Sequence, residues 1–131
     1  MLEDLGKFLL RVGVGGLLLF HGVHKLLNGL EPIKVMLGNH NISDAVSYGV
    51  YLGELVAPVL VIVGLFSRIG GLLIAIDMVI TVLLARTADV LLLSPASGAY
   101  ALESEVLYLV AGLAIALLGA GRFSLGDGRL N

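Results

Sequence analysis

The sequence predicts an all-α membrane protein, a four-helix transmembrane bundle with both termini on the same side, and three observations carry that expectation. Of 131 residues, 58% are hydrophobic and 14% are charged, whereas a water-soluble domain carries about 45–50% and about 25%. Mean hydropathy is +1.03. The apolar residues gather into four runs. Each approaches the roughly 20 residues that a helix rising about 1.5 Å per residue needs to cross a hydrocarbon core about 30 Å thick. A soluble chain of this composition would expose large apolar patches that drive association, and a lipid bilayer removes that penalty. The length fits one domain over residues 1–131.

The first run, residues 8–27, is too long for a signal-peptide core and lacks a small-residue cleavage site, so a retained helix is expected. Gly13, Gly15, Gly16 and Gly22 on it, with Gly70 and Gly71 on the third run and Gly112 on the fourth, are small positions that permit close helix approach. In the connection 29–44, Ile33, Met36 and Leu37 recur at helical spacing after Pro32, which predicts a short interfacial helix. The second run spans 45–66 and the third, marginally short, spans 69–85. Only Ser67 and Arg68 separate them, which requires a tight antiparallel hairpin. Leu91, Leu92 and Leu93 in the connection 86–100 are too few to span and are expected at the interface, as a continuation of the third helix, or as an ordinary surface loop. The fourth run is 101–119.

Four spans place both termini together. That side carries Lys7, Arg11, Arg68, Arg122 and Arg129, against Lys25, Lys34 and Arg86 on the other, a bias that favours cytoplasmic termini in the cell membrane. Tyr48, Tyr51, Tyr100 and Tyr108 fit an aromatic belt, with Tyr108 also one turn from an acid.

Composition also narrows function. A net charge of −2 without basic blocks excludes a nucleic-acid surface. The chain has no cysteine, which excludes thiol chemistry, thiolate metal sites, iron–sulfur clusters and covalent haem attachment. His21 and His24 could give two ligands from one helix face, but a metal centre usually gathers three or four, so no metal is expected. His40, the remaining histidine, lies in a loop and is unsuited to bis-histidine haem.

What stands out chemically is charge inside apolar runs, because ionisable groups at membrane depth are costly and are functional candidates by default. Glu54 and Asp77 sit eight or nine residues into the second and third runs, roughly 12 to 14 Å below the surface at which their helices enter. His21 and Lys25 share one face of the first helix, and Glu103 and Glu105 enter the fourth helix at the same side, near Arg86. The expected pairing joins Lys25 or Arg86 to Glu103 or Glu105, brings His21 to Glu54, and places Arg11 near Asp77 or Arg68. Buried ion pairs can also serve only to fix helix register.

The run Arg11-Val12-Gly13 through Phe20-His21-Gly22-Val23-His24-Lys25-Leu26 resembles the opening signature of the DoxX family of small membrane proteins. Gly53-Glu54-Leu55, the stretch 60–64, and Leu65-Phe66-Ser67-Arg68 are similar to that family's Glu-bearing helix and the turn after it. Gly119-Ala120-Gly121-Arg122-Phe123-Ser124-Leu125 resembles its usual close. The resemblance implies a four-helix bundle associated with electron transfer, since members include subunits linked to thiosulfate–quinone oxidoreduction and to oxidative-stress complexes. Arg11, His21, Lys25, Glu54 and Arg68 occupy its motif positions.

The leading expectation is a redox-associated subunit that binds a quinone-like headgroup or another small polar molecule. His21 and Glu54 would move protons, and Arg11, Lys25, Arg68, Asp77, Glu103 and Glu105 would line the polar site. Electrons would come from a redox partner protein. The alternative is a non-catalytic scaffold or small-solute transporter. Four short helices enclose little lumen, so transport would call for a homo-oligomer.

Overall fold

In the computed structural model, which describes all 131 residues, the chain is all-helical. Its helices are α1 (Leu2–Asn28), α2 (Glu31–Asn39), α3 (Asp44–Val63), α4 (Ser67–Ala85) and α5 (Glu103–Leu118). The only β pairing is an isolated bridge between Leu93 and Tyr100 in the α4–α5 connection. Helices α1, α3 and α4 are long and apolar enough to cross a membrane.

The ends of the helices differ from the predicted runs for local reasons. α1 starts at Leu2, with Glu3 and Asp4 in its first turn, where acidic side chains favour the positive end of the helix dipole. α3 stops at Val63 because Gly64 turns left-handed, with φ 73° and ψ 47°. No other residue type fits there, since a Cβ on Gly64 would lie 2.5 Å from Arg11 Nη1 and 2.8 Å from Ser124 Cα. Phe66, also left-handed, completes the reversal into α4. The fourth run is trimmed at both ends: Ala101 is tied back to the Leu92 carbonyl, and Gly119, with φ 78°, ends α5. At 16 residues α5 is about 24 Å long, shorter than a bilayer core. Leu91, Leu92 and Leu93 do not extend α4, which ends at Ala85; they sit exposed in the connection. The short helix expected at Pro32 forms, with the proline in its first turn and Leu37 buried. Glu31 pairs with Lys34 at 3.4 Å, and that hydrogen bond raises the lysine's pKa, so the ammonium stays charged through neutral pH and its side of the pair is lost as it deprotonates in the alkaline range.

Leu18 of α1, Ala57 and Val61 of α3, Ile74 and Met78 of α4 and Ile115 of α5 form the central cluster. Gly71 and Gly112 interlock α4 and α5. A Cβ on either would fall 2.5 to 2.7 Å from the other's carbonyl oxygen, so the two backbones touch. Gly15 and Gly70 likewise accept α3 against α1 and α4. Gly13 and Gly16 do not share that role, because a Cβ on either meets nothing within 4 Å. Outward positions are apolar, with Phe20 75% and Leu117 78% exposed, as expected of helices solvated by lipid.

Beyond α5 the chain folds back over the α3–α4 turn. Leu125 and Gly126 donate to the carbonyls of Val63 and Gly64 at 3.1 and 2.9 Å, the N–H of Arg68 donates to Leu130, and that of Arg122 donates to Asp4 Oδ1 at 3.1 Å.

Candidate functional site

The site begins with a proline. Pro58 has no N–H to offer the carbonyl of Glu54, four residues earlier, and its ring would crowd that oxygen in a regular α-helix. α3 answers by widening over Leu52–Val56 into a π-turn, in which the Ala57 N–H reaches back to Leu52. Single π-turns of this kind re-aim side chains within otherwise regular helices. Here the turn carries Glu54, and glycines on both sides make room for it. A side chain at Gly22 of α1 would collide with the Glu54 carbonyl, and a Cβ at Gly53 would lie 2.5 Å from Asp77 Cγ on α4.

Glu54 is buried, and its Oε1 accepts a hydrogen bond from Lys25 Nζ at 2.6 Å. The carboxylate side chain is 6% exposed and the lysine 28%, so the pair is anchored inside and reachable from one side. Glu54 Oε2 is buried with no hydrogen-bond partner in the protein. Above the pair opens a cavity of about 290 Å³, lined by Leu18, His21 and Lys25 of α1, Glu54 of α3, Met78 and Thr81 of α4, and Ser104, Glu105 and Tyr108 of α5. The His21 and Tyr108 rings meet edge to face, 6.3 Å apart at 85°. Arg86, at the end of α4, fixes the far wall. It binds Glu105 at 2.9 Å, Asp89 at 2.8 Å and the Ala101 carbonyl at 2.9 Å. Its hydrogen bond to Asp89 raises its pKa further, which keeps the guanidinium charged.

Of the predicted residues, the structure brings His21, Lys25, Glu54 and Glu105 to one cavity. The pairing differs from expectation: Lys25 bonds Glu54, not Glu103 or Glu105, because the widened turn of α3 faces α1. Arg86 does take Glu105. Glu103 is exposed on the outer face of α5 and lies outside the cavity. Asp77 lies behind Gly53 and faces a separate, mostly apolar hollow of about 250 Å³ between α2, α3 and α4, with Oδ2 buried and unpartnered.

Arg11 and Arg68 sit away from the cavity, and neither meets Asp77. Arg11 is fully buried; it donates to the carbonyls of Val61 at 2.9 Å and Ile62 at 3.4 Å, and to that of Phe123. Arg68 donates to the carbonyls of Ala116 and Leu117 at 2.9 and 2.6 Å. Each arginine therefore satisfies the free carbonyls at a helix C-terminus, where positive charge is also favoured by the dipole. His24 bonds only to Asn28, one turn on.

Tyr108, read from sequence as part of an aromatic belt, lines the cavity together with Thr81 and Ser104. A signal was present: Ser104, Glu105 and Tyr108 lie on one face of an otherwise apolar helix.

Neither the curated proteins nor the solved structures contain a match to this chain. The model of the DoxX family matches residues 6–87, which run from the second turn of α1 to the end of α4 and hold the cavity residues His21, Lys25, Glu54, Met78 and Thr81. With more than half of its length matched, and with helices of membrane-spanning length and composition, this chain belongs to the DoxX family of membrane proteins.

Proposed function

We propose that the chain is a redox-associated subunit of the cell membrane whose cavity binds the headgroup of a quinone. The Lys25–Glu54 pair in a cavity shared by four helices carries this reading. The donor set suits such a ring. Its two carbonyl oxygens need hydrogen-bond donors, and Lys25, His21, Tyr108, Ser104 and Thr81 all present N–H or O–H groups to the same space. The orphaned Glu54 Oε2 fits as well, either accepting a hydroxyl proton or, once protonated, donating to a carbonyl.

A bound quinone supplies two-electron chemistry, each carbonyl taking up one electron and one proton to become a hydroxyl. The electrons come from a partner redox protein, since the chain has no redox-active side-chain centre such as a thiol pair. In this reading Lys25 orients one carbonyl while its charge remains balanced by Glu54. His21 holds a proton at a ring nitrogen, within a wall that Tyr108 packs edge-on. Glu54 passes protons at Oε2, the only carboxylate oxygen in the pair not committed to Lys25.

The topology that goes with this is a four-helix bundle with both termini on the cytoplasmic side, α5 being the fourth and shortest crossing. Contact between Asp4 and Arg122, and between Leu130 and the start of α4, supports the shared end.

The test is mass spectrometry of small molecules retained by protein purified in mild detergent. A quinone retained by wild type and depleted in both Lys25→Ala and Glu54→Gln is the expected result. Absence of any retained ligand, with all three proteins folded, would mean instead that the ion pair serves to lock α1 against α3, as in a scaffold.

A further inference from the structure

The polar cavity has a neighbour. A groove of about 440 Å³ runs between α1 and α5, lined by Leu9, Gly13, Leu17 and Leu107 and, in the first turns of α5, by Ser104 and Tyr108. Those last two residues also line the cavity around Lys25 and Glu54, so the two spaces share a wall. Leu9, Leu17 and Leu107 are 60 to 67% exposed, which leaves the groove open along its length to the surroundings of the bundle. Gly13 is one of three unobstructed glycines on α1, with Gly6 and Gly16, and of the three it alone lines the groove. Gly15 and Gly22 are pressed against α3, whereas a Cβ on Gly13 would meet nothing within 4 Å. Helix packing therefore accounts for those two glycines and not for Gly13.

We infer that cavity and groove form one site for a lipid-soluble amphiphile with a neutral headgroup and a single long apolar tail, which enters sideways from the bilayer between α1 and α5. This rests on the quinone reading and specifies how the ligand arrives and what lies outside the headgroup pocket. The headgroup sits over Lys25 and Glu54, the tail lies along Gly13 between Leu17 and Leu107, and Tyr108 stands at the junction. Charge argues against an anionic lipid. Lys25 is already neutralised by Glu54, Arg86 is committed to Glu105 and Asp89, and the unpartnered Glu54 Oε2 would repel a phosphate. An apolar groove leading to a buried carboxylate with a spare acceptor instead selects a neutral group that can share a proton.

The test compares two probes in equilibrium dialysis at fixed detergent: a benzoquinone bearing a decyl chain and the same ring bearing a methyl group. At equal mole fraction in the micelle, and after subtracting uptake by protein-free detergent, wild type binds the decyl compound about tenfold or more tightly than the methyl compound, since many close contacts along the groove add up. Gly13→Leu fills the groove and removes that advantage while leaving methyl binding unchanged. Gly6→Leu, on the same helix and equally unobstructed, retains it and controls for the effect of a leucine on α1. Leu107→Ala on the opposite wall gives a second readout that does not depend on Gly13→Leu folding, and it also lowers decyl affinity alone. If both groove variants keep the decyl advantage while methyl binding persists, the tail groove is wrong and the headgroup reading stands. If wild type binds neither compound, both fall together.

Discussion

Arg11 is fully buried, and both of its terminal nitrogens are engaged by main-chain oxygens while Nε has no partner in the protein. Its guanidinium lies over the Phe8 ring at 5.8 Å and supplies donors to three carbonyls that no backbone N–H reaches. A planar fork of five donors can span those oxygens, and a lysine ammonium cannot. Arg11→Met is expected to lower stability by about 2–4 kcal/mol, through unsatisfied buried carbonyls, and Arg11→Lys should restore only a minor part. Thermal unfolding in detergent, followed by circular dichroism, checks both; a lysine variant as stable as wild type would show that charge alone suffices. The residue also marks the limit of sequence reading. Arginine in an apolar run was legible as significant, but its acceptors are main-chain oxygens, about fifty positions away for the pair on α3, and those are invisible in composition. Arg68 was obscured in the same way. The deep acids were legible because carboxylates are rare in such runs. Their partners were not, since pairing depends on how each helix is rotated.

At the scale of the helix, the π-turn of α3 decides that rotation. It follows from Pro58, and it is where stability and function should separate. Pro58→Ala returns an N–H to the Glu54 carbonyl and removes a ring that costs about 3 kcal/mol in a helix interior. Because Pro58 is fully buried, the gap left by its ring offsets that gain, and the variant should stay within about 1 kcal/mol of wild type. If the cavity serves a ligand, binding should fall by about tenfold or more, because regularising Leu52–Val56 turns Glu54 away from Lys25 and loses a charge-assisted contact. Ligand retention and unfolding temperature measured on the same preparation decide it. Unchanged retention in a folded variant would mean the bulge does not position the site. Gly53, within this turn, and Gly22, packed against it, were legible in the sequence as small positions or motif residues, but what each makes room for was not. Gly13 looks the same as Gly15 there, and only the fold shows that one faces a neighbour and the other does not.

At the scale of the molecule, the hydrophobic runs announced the long helices, and glycine geometry set where α1, α3 and α5 stop. The shortening of α5 and the return of the last residues over the α3–α4 turn could not be read, because both depend on backbone bonds between distant segments. The absence of cysteine makes the proposed topology directly testable. Asp127→Cys should react with a membrane-impermeant thiol reagent from one side of sealed vesicles, and Asn39→Cys and Ser97→Cys from the other; labelling of all three from one side would sink the four-crossing arrangement. Arg11 then carries a consequence for how the protein is made. While α1 is being delivered to the bilayer, the carbonyls of Val61 and Ile62 that will receive its guanidinium are still fifty residues from synthesis. At about 5–20 residues per second, the newborn helix holds its guanidinium without those acceptors for several seconds. Arg11 gains them only when α3 arrives, so α1 and α3 are expected to settle together.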